Sequence, residues 1–425
     1  MWLSNRNNNV ARLSVMLLIS LTQTVNASVS SITETDQRTV QQLSSIVNRA
    51  LTKNPAIQSA IANVVAIEAR FKGSSLPLNN PELEIETEHT DIETYALGLS
   101  QTIDWHDKQN AQEKVVEAEL AHAKAEAFAL RFSMSIEILK AVGDVASYHQ
   151  ITALSNERVK SFERFTSIAQ QLNQAGDISS TELELARLSL VEAIMLHATN
   201  GSELIEASSQ FFELSGFELK GNIEFPETLP IKLPSDANEE SMLQNHPQIK
   251  AAQLASLIAR KKITFTEQDR KPDPTFGITA GREGKEDLLG ASFSIPLQIR
   301  NNYKHKVDIA AAESLQADKD ALQLYRSLQA QLKASRDRYK LISRAWSFWK
   351  TKGQKSLDNQ LQLLEVQWKS GEINTTDYLL QLQQTLNTQI AGVELKSKFW
   401  NAWIDWLGTS GQLTQWLNLT TSEKL

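Results

Sequence analysis

The chain has 425 residues, a net charge of −7 and no cysteine. Its length suffices for two or three domains, the acidic balance argues against a nucleic-acid-binding protein, and the missing thiols exclude a disulfide framework, a zinc-finger site and thiol catalysis. Glycine and proline are sparse, with 16 and 10 residues, which favours long helices over a β-sandwich.

The N-terminus has the pattern of a secretory signal peptide. Arg6 and Arg12 precede the apolar run LSVMLLISL, and Val25-Asn26-Ala27 supplies small residues for cleavage. The run is shorter than the roughly 20 apolar residues that a membrane-spanning helix needs. We therefore predict a signal peptide over residues 1–27 and a mature chain that begins near Ser28 and lies outside the inner membrane. The alternative for this segment is a buried first helix.

Four segments have the alternation of β-strands. A predicted helix from about Leu43 to Phe71 is followed by PELEIETEH, in which apolar residues alternate with Glu82, Glu84, Glu86 and Glu88. A period of two indicates a strand with one apolar and one wet face. YALGLSQTI, TFGITAGR and LLGASFSI alternate similarly, with the links HTDIET and EGKED inside each pair. These lengths match outer-membrane barrel strands with a polar lumen, and a hairpin half buried on a soluble core is the alternative.

Each strand pair is followed by a segment that predicts a very long helix. Residues Asp107 to Leu172 contain no proline and one glycine, and residues Asn301 to Lys369 contain no proline. At 1.5 Å per residue, each segment reaches roughly 100 Å. Apolar residues at alternating steps of three and four indicate coiled-coil packing along these segments.

A similar turn ends both long segments: GDISSTEL begins at Gly176 and GEINTTDY begins at Gly371. Glycine suits the left-handed position that ends a helix. The hydroxyl and amide residues of Ser179 to Thr181 and Asn374 to Thr376 suit the N-cap of the next helix. Each turn therefore predicts the tip of a helical hairpin.

The two halves of the chain repeat their landmarks in the same order. Asn54-Pro55 is answered by His246-Pro247, and Leu97-Gly98-Leu-Ser100 is answered by Leu289-Gly290-Ala-Ser292, each 192 positions later. We predict a duplication, with a first repeat over 28–225, a proline-rich junction over 226–240, a second repeat over 241–415 and a tail over 416–425.

Four strands are too few for a closed barrel, since small barrels need about eight, and an unpaired strand edge cannot lie in lipid. If these strands span a membrane, copies of the chain must assemble. Two copies supply eight strands, which close a barrel that side chains fill, whereas three copies supply twelve and leave an open pore.

These residues resemble the TolC-type outer-membrane efflux proteins over nearly the whole mature chain. The resemblance rests on the Asn54-Pro55 helix start, the Pro-x-Leu strand, the strand LGLSQTI before a long alanine-rich helix, and the two Gly-x-Ile tips. It implies an α+β membrane protein whose duplicated helical hairpins form a trimeric α-barrel, with four strands per chain in a 12-stranded transmembrane β-barrel.

The resemblance also implies a function and partners. The chain would be a passive exit duct in the outer membrane, with a large periplasmic part. It would form a homotrimer embedded in outer-membrane lipid, and its tips would dock to a periplasmic adaptor protein and through it to an inner-membrane pump. A periplasmic coiled-coil adaptor or scaffold is the alternative, although an adaptor is expected to have one hairpin tip.

Carrying the resemblance over residue by residue gives the candidate site. Asp377 and Glu182 are the expected aperture residues, because the family has an acid six positions after each tip glycine. The expected adaptor contacts are Gly176, Asp177, Ser179, Arg187, Trp368, Gly371, Glu372 and Thr375. The chain departs from the family at Ile373 and Leu380, where an arginine and a second acid are common. The barrel lumen is expected to hold Glu82, Glu84, Glu86 and Glu88.

The sequence contains no motif for a catalytic site, a phosphate-binding loop or a metal-ligand cluster. The seven histidines show no metal-ligand spacing. We therefore expect no enzyme activity, no cofactor, no bound metal and no nucleic-acid partner.

Overall fold

The computed structural model describes residues 34–89, 91–221, 225–226, 229, 233 and 238–419. The predicted signal peptide, most of the proline-rich junction and residues 420–425 lie outside this part of the chain. The described residues are mostly helical, with a single four-stranded antiparallel sheet.

The elements follow the same order in both halves of the chain. The first half contains α1 (Glu34–Lys53), α2 (Pro55–Ser74), β1 (Glu82–His89), β2 (Glu93–Thr102), α3 (Lys108–Ala175) and α4 (Ser180–Ser215). The second half contains α5 (Glu239–Gln244), α6 (Pro247–Asp269), β3 (Thr275–Glu283), β4 (Glu286–Ser294), α7 (Lys304–Phe348), α8 (Gln354–Lys369), α9 (Thr375–Ser410) and α10 (Leu413–Trp416).

The helix predicted from Leu43 to Phe71 is two helices, so the prediction of one continuous helix was wrong. Asn54 has an extended conformation with φ −68° and ψ 122°, and its side-chain oxygen caps α2 by accepting from the amides of Ala56 and Ile57. Pro55 follows at the first helical position, where its missing N–H has no cost. The Asn54-Pro55 pair therefore causes the break between the two helices.

The strands are ordered β1-β2-β3-β4, and every neighbouring pair is antiparallel. Strands β3 and β4 extend into the predicted link EGKED, so the turn between them consists of only Gly284 and Lys285. Gly284 has φ 59°, the left-handed conformation that such a tight turn requires. The outer edges of β1 and β4 have no partner strand among the described residues.

The long helices form as predicted, with one irregularity. Helix α3 runs without interruption for 68 residues, which corresponds to ~100 Å. Between α7 and α8, residues Trp349–Gly353 form a π-helical turn. The indole of Trp349 lies so close to Gly353 and Gly392 that a Cβ on either glycine would be within 2.5 Å of the ring. The π turn thus accommodates a large side chain between two glycines.

The largest apolar core of the described residues joins α1, the middle of α3, the interior of α7 and the C-terminal part of α9. Trp400 and Trp403 of α9 are buried there, and Trp416 of α10 packs against both. Phe225, at the end of the first repeat, stacks on Trp400 with ring centroids 4.5 Å apart, and Leu229 of the junction is buried in the same core. The described part of the junction is therefore packed against the helices.

Candidate functional site

The sheet carries all but one of its large apolar side chains on one face, and the exception is Leu288 of β4. The register pairs Leu83 with Leu99, Leu99 with Ile278, and Ile278 with Ala291, so the apolar positions are continuous across all four strands. Leu289, at the outer strand, is 84% exposed. The other large side chains of this face that are exposed are Leu83, Ile85, Tyr95, Leu97, Leu99, Phe276, Ile278 and Phe293. An apolar face of this extent needs an apolar environment.

The opposite face of the sheet carries the glutamates and small residues. Glu82, Glu84, Glu86 and Glu88 pair across the register with Ser100, Gly98, Ala96 and Thr94. The hydroxyl of Ser100 donates to Oε1 of Glu84 at 3.1 Å. A Cβ on Gly98 would lie only 3.3 Å from the Cβ of Glu84, so the small neighbour makes room for the carboxylate. The four predicted lumen residues therefore share one polar face.

The first tip has the cap geometry that its sequence predicts. Gly176 is the C-cap of α3 with φ 83°, and Ser179 is the N-cap of α4. The Glu182 amide donates to Oγ of Ser179 at 3.2 Å, while the Ser179 amide donates to Oε2 of Glu182 at 2.8 Å. Hydrogen bonds from Ser179 lower the pKa of Glu182, so this carboxylate stays charged and bound to its own helix end.

At the second tip an asparagine takes the place of the N-cap serine, and the acid bonds to its side chain instead of its backbone amide. Gly371 has φ 77°, and Asn374 is the N-cap of α9. The Asp377 amide donates to Oδ1 of Asn374 at 2.8 Å, and Nδ2 of Asn374 donates to Oδ2 of Asp377 at 2.8 Å. Glu182 therefore takes part in capping its helix, Asp377 is held by the residue that caps its helix, and each carboxylate bonds within its own tip.

An aromatic cluster joins the two tips. Phe165 of α3 lies 4.8 Å from Trp368 and 5.2 Å from Tyr378, measured between ring centroids, and the rings of Trp368 and Tyr378 stack at 4.8 Å. Ile178 and Ile373, the isoleucines of the two Gly-x-Ile turns, pack against the same cluster. The two hairpins therefore end in one shared core.

The expected adaptor contacts divide into exposed and buried residues. Gly176, Asp177, Ser179, Arg187, Gly371 and Glu372 are exposed. Arg187 is bound to Glu184 on its own helix at 2.7 Å. Trp368 is 9% exposed and Thr375 is 4% exposed, because both side chains pack into the tips. In this conformation these two residues support the surface but do not form it.

Exposed apolar residues that the sequence pattern did not single out lie beside the tips. Leu188, Leu363 and Val366 are each more than half exposed. Leu380, at the position where the resemblance leads us to expect a second acid, is 64% exposed. The sequence could have identified them as apolar residues that lie outside the three-and-four spacing by which the hairpin helices pack. Such residues give the tip region an apolar component that the carboxylates alone do not suggest.

Within the described ranges, no group of three or more histidine, cysteine, aspartate or glutamate residues is arranged to hold a metal ion. In the same residues, no helix combines the length and the hydrophobicity needed to cross a membrane.

No protein-family model matches the sequence, and no curated protein matches it significantly. Solved structures do match. The CmeC outer-membrane channel of Campylobacter jejuni has a TM-score of 0.75 at 16% identity, covering 96% of this chain and 94% of that one. A membrane protein from Pseudomonas aeruginosa has a TM-score of 0.74 at 15% identity, covering 87% and 93%.

A third neighbour, CusC, whose structures describe transmembrane channel formation, has a TM-score of 0.73 at 14% identity, covering 87% of this chain and 92% of that one. The resemblance to TolC-type outer-membrane channels is therefore confirmed at the level of the fold.

Proposed function

We propose that this chain, which has the fold of TolC-type outer-membrane channels, assembles as a trimer into a passive exit duct through the outer membrane. The observation that carries the proposal is the sheet: one face is apolar and exposed, the other is polar, and the outer edges of β1 and β4 pair with no other strand in the part of the chain that the structure describes. Three such sheets joined edge to edge form twelve strands, with lipid outside and the glutamates in the lumen.

The helices supply the second part of the duct. Helix α3 at 68 residues is far longer than the core of a single compact domain requires. In the proposed assembly the helices of three copies enclose a tunnel that extends ~100 Å from the membrane towards the tips. The duct moves nothing by itself, so an inner-membrane pump supplies the energy.

Membrane fractionation combined with conductance tests the duct. The protein is expected in the outer-membrane fraction after a high-salt wash, as a detergent-solubilised trimer, and as a conducting pore in planar bilayers. A water-soluble monomer that needs no detergent contradicts the proposal. Deletion of the gene, followed by challenge with a panel of drugs and metal ions, then identifies the class of cargo.

We propose further that the exposed tip residues dock to a periplasmic adaptor protein. The exposed carboxylate of Glu372 and the exposed apolar side chain of Leu380 support a mixed polar and apolar contact. A photo-cross-linking residue placed at Ser179 or Glu372 should capture the adaptor in cells. The same residue at Leu289, on the apolar sheet face, is the control and should capture none.

The alternative function, a periplasmic coiled-coil adaptor or scaffold, is not favoured. The chain has two hairpin tips joined by one aromatic cluster, and its structural neighbours include outer-membrane channels. A protein that stays in the periplasmic fraction and binds an outer-membrane channel would support this alternative instead.

A further inference from the structure

The helices of one chain form a wall with two free edges. Helix α3 packs against α2, α4, α6 and α9, and α7 packs against α6 and α9. Helix α4 has α3 as its main partner, so it lies at one side of the wall and α7 lies at the other. The side of each edge helix that points away from its partners is open.

The open face of α7 is basic. The buried residues of α7 include Leu328, Leu332 and Tyr339, which mark its packed face. The opposite face carries five exposed residues: Lys319, Arg326, Lys333, Arg344 and Phe348. Successive members of this set are seven, seven, eleven and four residues apart. Steps of this kind keep residues on one side of a helix. The acids on this face are Asp308, near the start of α7, and Asp337, which pairs with Arg336 at 3.3 Å.

The open face of α4 is acidic and apolar. Ala186, Ala193 and Phe211 are among the buried residues that pack α4. The opposite face carries four exposed residues: Leu188, Met195, Glu206 and Glu213. Successive members of this set are seven, eleven and seven residues apart. Leu188 and Met195 are each 66% exposed. Neither Glu206 nor Glu213 has an ion-pair partner among the described residues.

The charges of the two faces lie at matching distances from the tips. Glu206 and Glu213 follow Gly176 by 30 and 37 residues, which places them ~45 Å and ~55 Å along the helix. Arg344 and Lys333 precede Gly371 by 27 and 38 residues, which places them ~40 Å and ~57 Å along theirs. Phe348 lies ~35 Å from the tip along α7 and α8, and the apolar residue of the α4 face at the most similar distance is Met195, at ~28 Å.

We infer that the partner of the basic α7 face is the acidic α4 face of a second copy of this chain, with Arg344 and Lys333 opposite Glu206 and Glu213, and Phe348 beside Met195. The inference rests on the proposed function, because it needs copies arranged in a closed ring. Opposite edges of one surface that complement each other give a head-to-tail contact that closes into such a ring. The charges determine that the α7 edge of one copy meets the α4 edge of the next, and they set the position of the two helices along the tunnel axis. Complementary charges have the same effect at other interfaces.

Engineered cysteines test the contact, since the natural chain has none. The variant Arg344→Cys with Glu206→Cys should form cross-linked dimers and trimers on oxidation of the detergent-solubilised protein. Arg344→Cys with Ile205→Cys is the control, because Ile205 is also exposed but lies about 100° around α4. The control should give at most about a tenth of the cross-linked product.

Charge reversal tests the role of the ion pairs. Arg344→Glu should reduce the trimer fraction about tenfold at low salt, and adding Glu206→Arg should restore it. The inference is overturned if the natural chain is a trimer but both cysteine variants cross-link equally, or if charge reversal at Arg344 has no effect on the trimer. Either result leaves the duct proposal intact. A natural chain that is monomeric in detergent defeats the proposed function instead.

Discussion

Asn54 and His246 begin equivalent helices in the two repeats and make the same pair of hydrogen bonds with different side chains. Oδ1 of Asn54 accepts from the Ala56 amide at 2.9 Å while its Nδ2 donates to the Leu214 carbonyl at 3.0 Å. Nδ1 of His246 accepts from the Gln248 amide at 3.3 Å, and its Nε2 lies 3.0 Å from the Gly408 carbonyl. Each residue thus caps one helix and ties it to the end of another.

The histidine version of this link is sensitive to pH. His246 is 2% exposed, and burial lowers its pKa below the usual 6.5. Both hydrogen bonds require the neutral ring with its proton on Nε2, because Nδ1 accepts. The stabilisation by His246 is therefore complete above pH 6.5 and is lost as the pH falls through the lower pKa of the folded state.

We predict that His246→Asn removes this pH dependence, since asparagine makes both bonds without titrating. The melting temperature of the detergent-solubilised protein, measured from pH 7.5 to pH 5, should fall less steeply in the variant than in the natural chain. Asn54→Gln is a control for the repeat position and should leave the slope unchanged. Equal slopes for the natural chain and His246→Asn contradict the prediction.

A second prediction concerns the π-helical turn. A Cβ on Gly392 would lie 2.3 Å from Cζ2 of Trp349, so Gly392→Ala should destabilise the protein by about 1–3 kcal/mol. Gly201→Ala is the matched control, because it also lies in a helix but a Cβ there would meet nothing within 4 Å. That control should leave stability unchanged or raise it by up to ~1 kcal/mol. Thermal unfolding followed by circular dichroism distinguishes the two variants.

A third prediction separates the two faces of the sheet with neighbouring leucines. Leu289 lies on the apolar face and Leu288 on the polar face of β4. Leu289→Arg should reduce membrane insertion, at a cost of about 2–4 kcal/mol if the position is near the bilayer centre. Leu288→Arg should insert normally and alter conductance. Insertion into liposomes measures both, and the same yield for the two variants would show that the apolar face does not meet lipid.

A fourth prediction concerns the aperture. Asp377→Asn keeps a side-chain oxygen that can accept from Nδ2 of Asn374, so the cap of α9 survives while the charge is removed. If three copies of Asp377 surround a narrow pore, the variant should show weaker block of conductance by divalent cations. Glu372→Gln, at the exposed turn outside the cap, should retain the block. Unchanged block in Asp377→Asn removes this residue from the pore.

Local patterns in the sequence determined much of this protein. The alternation in PELEIETEH determined the two faces of the sheet, the rarity of proline and glycine determined the long helices, and Gly176 and Gly371 marked the tips. Each of these features depends on residues close together in the chain, because the period of a strand or helix and the conformation of a turn are set locally.

Only the tertiary structure decided how distant residues meet. It buried Trp368 and Thr375 in the tips, set Trp349 between two glycines at a π turn, and brought the ring of His246 to the carbonyl of Gly408. It also showed which faces of α4 and α7 stay open. The contact between His246 and Gly408 joins residues 162 positions apart in the chain, and packing across such separations leaves no periodic signal in the sequence.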